Sequence, residues 1–156
     1  MSDAYEEIFE GEILLRKPLR ARHDVICQRL HELMAASLAG VATTRLLEPR
    51  AAIEVAAGTT LRPDLALVAV ATGKLWLAAE VISSDDHRPD TVIKKQIYEQ
   101  SNLPRLWMVD PRYDNVEVYH GSQYGLILKG ILASREILAE PLLPAFRVTI
   151  ADLFAN

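Results

Sequence analysis

Thiol chemistry is nearly absent from this 156-residue chain, whose one cysteine is Cys27. That excludes an internal disulfide and any zinc cluster built from cysteines. No apolar run approaches the ~20 residues needed to span a bilayer. Met1 to Glu7 are acidic and lack the basic, apolar signature of a secretory signal, so a cytoplasmic protein is expected. No glycine loop of the phosphate-cradling kind occurs, which argues against nucleoside triphosphate use. No nucleophile-elbow glycines surround Ser83, Ser84 and His87, which sets a serine hydrolase aside. His23 and His31 have no partner at zinc spacing and read as surface or capping residues. Positive charge is scarce as well. With 17 Lys and Arg against 21 Asp and Glu, the formal net charge is -4. A generic polyanion binder would be basic. A local basic groove remains compatible with this balance, and nucleic-acid binding through it should be weak and salt-sensitive.

What the chain does have is ordinary globular composition. Half of it is apolar and 24% is charged, enough at this length for one domain with a real core. No repeat, linker or low-complexity tract divides it, so residues 1–156 are expected to form a single α/β domain. Residues 5–17 read as a hairpin turning at Glu10-Gly11. Over 20–39, Ile26, Leu30, Leu33, Met34 and Leu38 recur at spacings of three and four, which predicts an amphipathic helix that Gly40 stops. A short strand follows around Ile53 and Val55, and Gly58-Thr59-Thr60 reads as a loop. Residues 64–70 and 75–82 are apolar on both faces, as strands covered on both sides are. After the polar segment 83–88, Pro89 suits a first helical position. A second helix is expected over 90–101, ended by Asn102 and Pro104. Strands are expected at 106–109, 116–119 and 124–128, with a further one at Ile137-Leu138. A short terminal helix follows, capped by Thr149.

Asp64, Glu80 and Lys94 carry the chemistry. A three-residue loop Ala71-Thr72-Gly73, with Gly73 left-handed, would pair Val70 with Lys74 and hence Asp64 with Glu80. Paired residues share a face with Cβ atoms ~5 Å apart. Two carboxylates so placed repel, and a hard divalent cation such as Mg²⁺ relieves the conflict. On the two acids alone, a partly exposed pair neutralised by Lys94 or an arginine is the simpler account. Lys94 shifts the balance. With Thr91, Tyr98 and Ser101 it lies on a polar helical face that can lean over the strand end carrying Glu80. An ammonium there can orient water or neutralise charge on a phosphate. As a polar-face residue outside the core, Lys94 is expected to tolerate alanine without loss of fold. Lys95 reads as a solvated neighbour of Glu99. His87 and Arg88 read as loop residues within reach of a substrate phosphate, and Trp107 as core.

At these residues the chain resembles the Uma-type family of putative restriction endonucleases, in the PD-(D/E)XK nuclease superfamily. The likeness runs through Pro63-Asp64, Glu80-Val81-Ile82-Ser83, Lys94 four before Tyr98, and Leu103 to Pro111. It extends from about Ile8 to Phe154. The resemblance implies a restriction-endonuclease-like mixed β-sheet flanked by helices. It implies a Mg²⁺ site at Asp64, Glu80 and the Val81 carbonyl, with Mn²⁺ able to substitute. Ile82 stands where the superfamily expects a lysine, and Lys94 matches the helical lysine that replaces it in this family. Glu12 matches an acidic position of the family's N-terminal motif, and Tyr98 lies beside the lysine. The implied function is Mg²⁺-dependent hydrolysis of DNA phosphodiesters, by a homodimer if the superfamily's habit is kept. The alternative is a catalytically inactive nuclease fold that binds DNA or protein.

Overall fold

The computed structural model describes residues 3–18, 20–83 and 87–156. Of the polar segment before the second helix, Ser84 to Asp86 lie outside the described residues. The chain opens with the expected hairpin, β1 (Tyr5–Phe9) and β2 (Glu12–Arg16). Glu10 and Gly11 take the left-handed backbone that the tight turn requires. Helix α1 (Ala21–Ser37) follows, then β3 (Thr44–Leu46), β4 (Ile53–Ala56) and β5 (Thr59–Leu61). The expected loop at Thr59 is therefore a strand. Three residues are too few to show an alternation, and it is pairing with β4 and β1 that defines it.

The central sheet contains β6 (Leu65–Ala69), β7 (Leu75–Val81), β8 (Arg105–Asp110), β9 (Asn115–Ser122) and β10 (Gly125–Ala133). Its order is β10-β9-β8-β7-β6-β3. Only β7 and β8 in it pair parallel. Parallel neighbours need a crossover. It is supplied by a π-helical stretch (Pro89–Lys94) that continues as helix α2 (Lys95–Gln100). A second sheet has the order β2-β1-β5-β4. A separate hairpin, β11 (Ile137–Glu140) and β12 (Leu143–Thr149), precedes the short helix α3 (Ile150–Leu153). Strand β12 goes unannounced in the sequence because Pro144 interrupts its alternation. Thr149 caps α3 as expected, its Oγ1 accepting from the Asp152 amide at 3.2 Å.

The central sheet is apolar on both faces. One face (Leu65, Leu67, Leu77, Val81, Trp107) packs against Ile26, Leu30 and Met34 of α1 and against Phe146 of β12. Trp107 is fully buried, its ring 5.2 Å from that of Phe146. The other face (Ala78, Ile82, Leu106, Met108) packs against Tyr98 of α2 and Leu61 of the small sheet. Among the described residues no helix is long and apolar enough to cross a membrane.

The loop between β6 and β7 differs from expectation. Ala69 donates to the Lys74 carbonyl at 2.9 Å, so four residues turn and Val70 does not pair with Lys74. Gly73 is left-handed as expected. A bulge then opposes Val68 to Leu75 and Leu67 to Leu77, so Trp76 is extra. That one residue offsets the longer loop. Leu65 pairs with Ala79, as the expected register requires, and the ladder ends there, one residue short of Asp64 and Glu80.

Candidate active site

Glu80 ends the α2 face of β7, and the crossover brings Lys94 down on it. Lys94 Nζ lies 2.7 Å from Glu80 Oε1 and 2.8 Å from Glu7 Oε2. Tyr98 donates its hydroxyl to Glu80 Oε2 at 2.5 Å. Glu7 Oε1 accepts from Arg16 at 2.7 Å, and Arg16 also reaches Asp90 Oδ1 at 3.0 Å. Asp90 Oδ2 accepts from the Ser83 amide at 3.3 Å. The network is almost wholly shut off from water, with Lys94 and Glu7 at 0% exposure and Glu80 at 1%.

Three carboxylates (Glu7, Glu80, Asp90) thus share two cations (Lys94, Arg16), and the deficit falls unevenly. Burial pushes Glu80 up to about 8; Lys94 opposes this, while Asp64, Asp90 and Glu7 add to it. Burial acts on Glu7 in the same sense, but Lys94, the Arg62 amide and Arg16 outweigh it and hold Glu7 below its usual range. Lys94 is held above the usual range, because Glu80, Glu7 and Asp90 overcome the burial that opposes its charge. Asp90 is raised by burial, against Lys94 and Arg16.

Asp64 finds different partners. Pro63 carries no backbone donor and ends the ladder. The Asp64 side chain accepts from the Val81 amide through Oδ2 at 2.7 Å. Its carboxylate then faces α1 and the loop before β4. Arg50 Nε is 3.4 Å from Oδ1, and His23 Nε2 is 3.8 Å from Oδ2. His23 Nε2 also meets the Val81 carbonyl at 2.5 Å, and His23 Nδ1 meets Cys27 Sγ at 3.4 Å. A cavity of about 430 Å³ opens beside Asp64, lined also by Asp24, Cys27, His31 and Arg50.

Several expected placements change. The carboxylates of Asp64 and Glu80 do not share a face: Glu80 is held on the α2 side by Lys94 and Tyr98, and Asp64 turns to Arg50 and His23 on the α1 side. Lys94 leans over Glu80 as expected, but it is fully buried and not outside the core, because the helix turns its polar side inward onto Glu7 and Glu80. An alanine there would leave buried Glu80 without its cation and Glu7 with Arg16 alone. His23 is neither a surface nor a capping residue but 6% exposed against Val81 and Asp64. Glu12 is exposed at the start of β2, and the acid the first hairpin sends to Lys94 is Glu7. The signal for Glu7 lay in the hairpin itself. A turn at Glu10-Gly11 pairs Tyr5 with Arg16, which sets Arg16 diagonally opposite Glu7 on one face. Asp90 lies four residues before Lys94, on its side of the helix. His87 and Arg88 are exposed.

Compared with known proteins, the pattern of the Uma2 family, described as "Putative restriction endonuclease", matches residues 2–151. The chain belongs to the Uma2 family. Its fold is shared with a solved structure from Anabaena variabilis ATCC 29413, a "putative nuclease belonging to DUF820". The two are 15% identical, with a TM-score of 0.79 over 96% of this chain and 89% of that one. No curated protein matches this Uma2 member.

Proposed function

We propose that this Uma2 chain is a Mg²⁺-dependent endonuclease that hydrolyses DNA phosphodiesters at Asp64, Glu80 and Lys94. The carrying observation is Glu80, a carboxylate pushed up to about 8 by burial and by Asp64, Asp90 and Glu7, even with Lys94 at 2.7 Å. So much negative charge at one strand end favours a further cation. The donors suit a hard ion: the carboxylates of Asp64 and Glu80 and the Val81 carbonyl are all oxygen ligands. Asp64 Oδ1 has no hydrogen-bond donor among the described residues. Bound there, Mg²⁺ would supply Lewis acidity toward a phosphate oxygen and lower the pKa of a coordinated water. Mn²⁺ would serve in its place.

The chain's own residues do the rest. Lys94, fixed by two carboxylates, holds a positive charge where negative charge develops on the phosphoryl group. Tyr98 fixes the Glu80 carboxylate by its hydrogen bond. Arg16 and Glu7 hold Lys94 from the side away from β7. A twofold homodimer belongs to this reading, since cutting both strands takes two sites, and light scattering would report its mass.

Metal-dependent nicking of plasmid DNA tests the proposal. The parent should nick with Mg²⁺ or Mn²⁺, and Asp64→Asn should lose roughly a hundredfold or more, as when an electrostatic catalytic group is removed. One observation favours a second reading, an inactive nuclease fold that binds DNA or protein: both Glu80 oxygens and the Lys94 ammonium already have protein partners. Failure of the parent to nick across metals and substrates would select that reading.

A further inference from the structure

On the α1 side of β7, His23, Cys27 and Asp64 form a cluster of which the nuclease reading uses Asp64 but neither His23 nor Cys27. One ligand atom from each lies within 4.8 Å of the other two. His23 and Cys27 are four apart on α1, so both project from the same side of the helix. Asp64 comes from the strand end that α1 covers.

The tautomer of His23 follows from its surroundings. Nε2 is 2.5 Å from the Val81 carbonyl, and a carbonyl only accepts, so Nε2 carries the proton. Nδ1 is then the acceptor, and its lone pair takes the Cys27 thiol proton across 3.4 Å, the proton that a metal ion would displace. Metal-binding histidines commonly donate their second N–H to a backbone carbonyl in this way. The spacing fits too. A tetrahedral ion holding nitrogen at ~2.0 Å and sulfur at ~2.3 Å sets the two about 3.5 Å apart. The third ligand, an Asp64 oxygen, lies within 4.8 Å of both. The cavity lined by Cys27, Arg50 and Asp64 leaves the fourth position open to water or a small anion.

We propose that His23 Nδ1, Cys27 Sγ and a carboxylate oxygen of Asp64 form a binding site for a zinc-class divalent ion. The mixed nitrogen, sulfur and oxygen set suits zinc or cobalt and not magnesium. It is chemically distinct from the all-oxygen set of Asp64, Glu80 and the Val81 carbonyl, although Asp64 is common to both. Coordination replaces the Cys27 thiol proton, which leaves to solvent, so one proton is released for each ion bound. The proposal does not rest on nuclease activity.

Cobalt titration of the chelator-stripped full chain tests it. Co²⁺ bound to a thiolate gives a near-ultraviolet charge-transfer band, and Cys27 is the one cysteine able to produce it. The band should saturate at one Co²⁺ per chain and vanish when Zn²⁺ is added. Glu80→Gln should keep it, which separates this site from the proposed magnesium site. His23→Gln and Asp64→Asn, read where each is folded by circular dichroism, should each weaken Co²⁺ binding roughly tenfold or more, a loss seen even for outer-shell changes at metal sites. No band at about millimolar Co²⁺, well above the affinity range of protein zinc-class sites, would overturn the proposal on the unsubstituted chain. Parental affinity in either variant would also overturn it, leaving an isolated thiol.

Discussion

The two flanks of β7 solve the same problem differently. Toward α2, Glu80 is locked between Lys94 and Tyr98, and Lys94 in turn is locked to Glu7. Toward α1, Asp64 has one short hydrogen bond, from a backbone amide, and Arg50 and His23 stand off at 3.4 and 3.8 Å beside a cavity. The first flank is a closed ion network in which no element can move without uncovering a charge. The second keeps room for something to arrive. The proposed metal site would draw on both, a rigid support for one carboxylate and an accessible coordination sphere for the other.

Lys94→Ala should break the closed flank outright. Removing one partner of a buried ion pair costs about 3–5 kcal/mol, because the remaining charge keeps its desolvation penalty. Urea unfolding should show a loss in that range, and a loss below about 1 kcal/mol would mean that water reaches Glu7 and Glu80.

Mg²⁺ probes the open flank against the closed one. If the acids are pre-organised, metal at a hundredfold over its Kd should stabilise the fold by about 2.7 kcal/mol. Glu80→Gln should erase most of that gain. A melting temperature unchanged at millimolar Mg²⁺ and Mn²⁺ would count against the metal site.

Glu80 also sets a pH dependence. Its folded value, about 8, lies above its ordinary 4.5, so between these values the folded state binds more proton than the unfolded one. Stability from Glu80 is therefore fully present below about 4.5 and is lost as pH rises through about 8. Asp90 is raised in the same sense. The melting temperature should fall across that window, less steeply in Glu80→Gln. Identical slopes in parent and variant would show that Glu80 stays ionised throughout.

The smallest effect is expected next door. Lys95 Nζ sits 4.5 Å from the centre of the Tyr119 ring, a contact worth about 0.5–1 kcal/mol at a partly exposed site. Lys95→Ala should cost no more than that in the same urea series. A loss matching that of Lys94→Ala would remove the distinction between a buried and a surface lysine on this helix.

The sequence singled out residues that the fold brings close enough to act on one another, but it said less about how they are held. Asp64, Glu80 and Lys94 stand out because charged residues punctuate apolar strands and a helix of visible period. Their register was inferable at the site end, even though Trp76 bulges to restore what a longer loop displaced. Burial was not legible. Lys94 looks like any lysine on a polar helical face, and only the return of the first hairpin, carrying Glu7 and Arg16, turns that face into an interior. His23 was passed over because its partners, Cys27 apart, come from residues 64 and 81, distances that no local spacing rule reaches. Strands β3, β5 and β12 were hidden for a simpler reason, being short or interrupted and defined by their neighbours more than by their own pattern.

The π-helical stretch Pro89–Lys94 makes the crossover a ruler. Its wider turns admit more residues per turn than the α-helix that follows. Asp90 and Lys94 both point inward from it, and Tyr98 continues that line in α2. Deleting Val92 would rotate everything after it relative to what precedes, by somewhat less than the ~100° that one α-helical residue spans. The lysine would then swing off Glu80 while every side chain of the network stayed chemically intact. In this segment the count of residues matters as much as their identity: a substitution at exposed Val92 should be tolerated where an insertion or a loss should not.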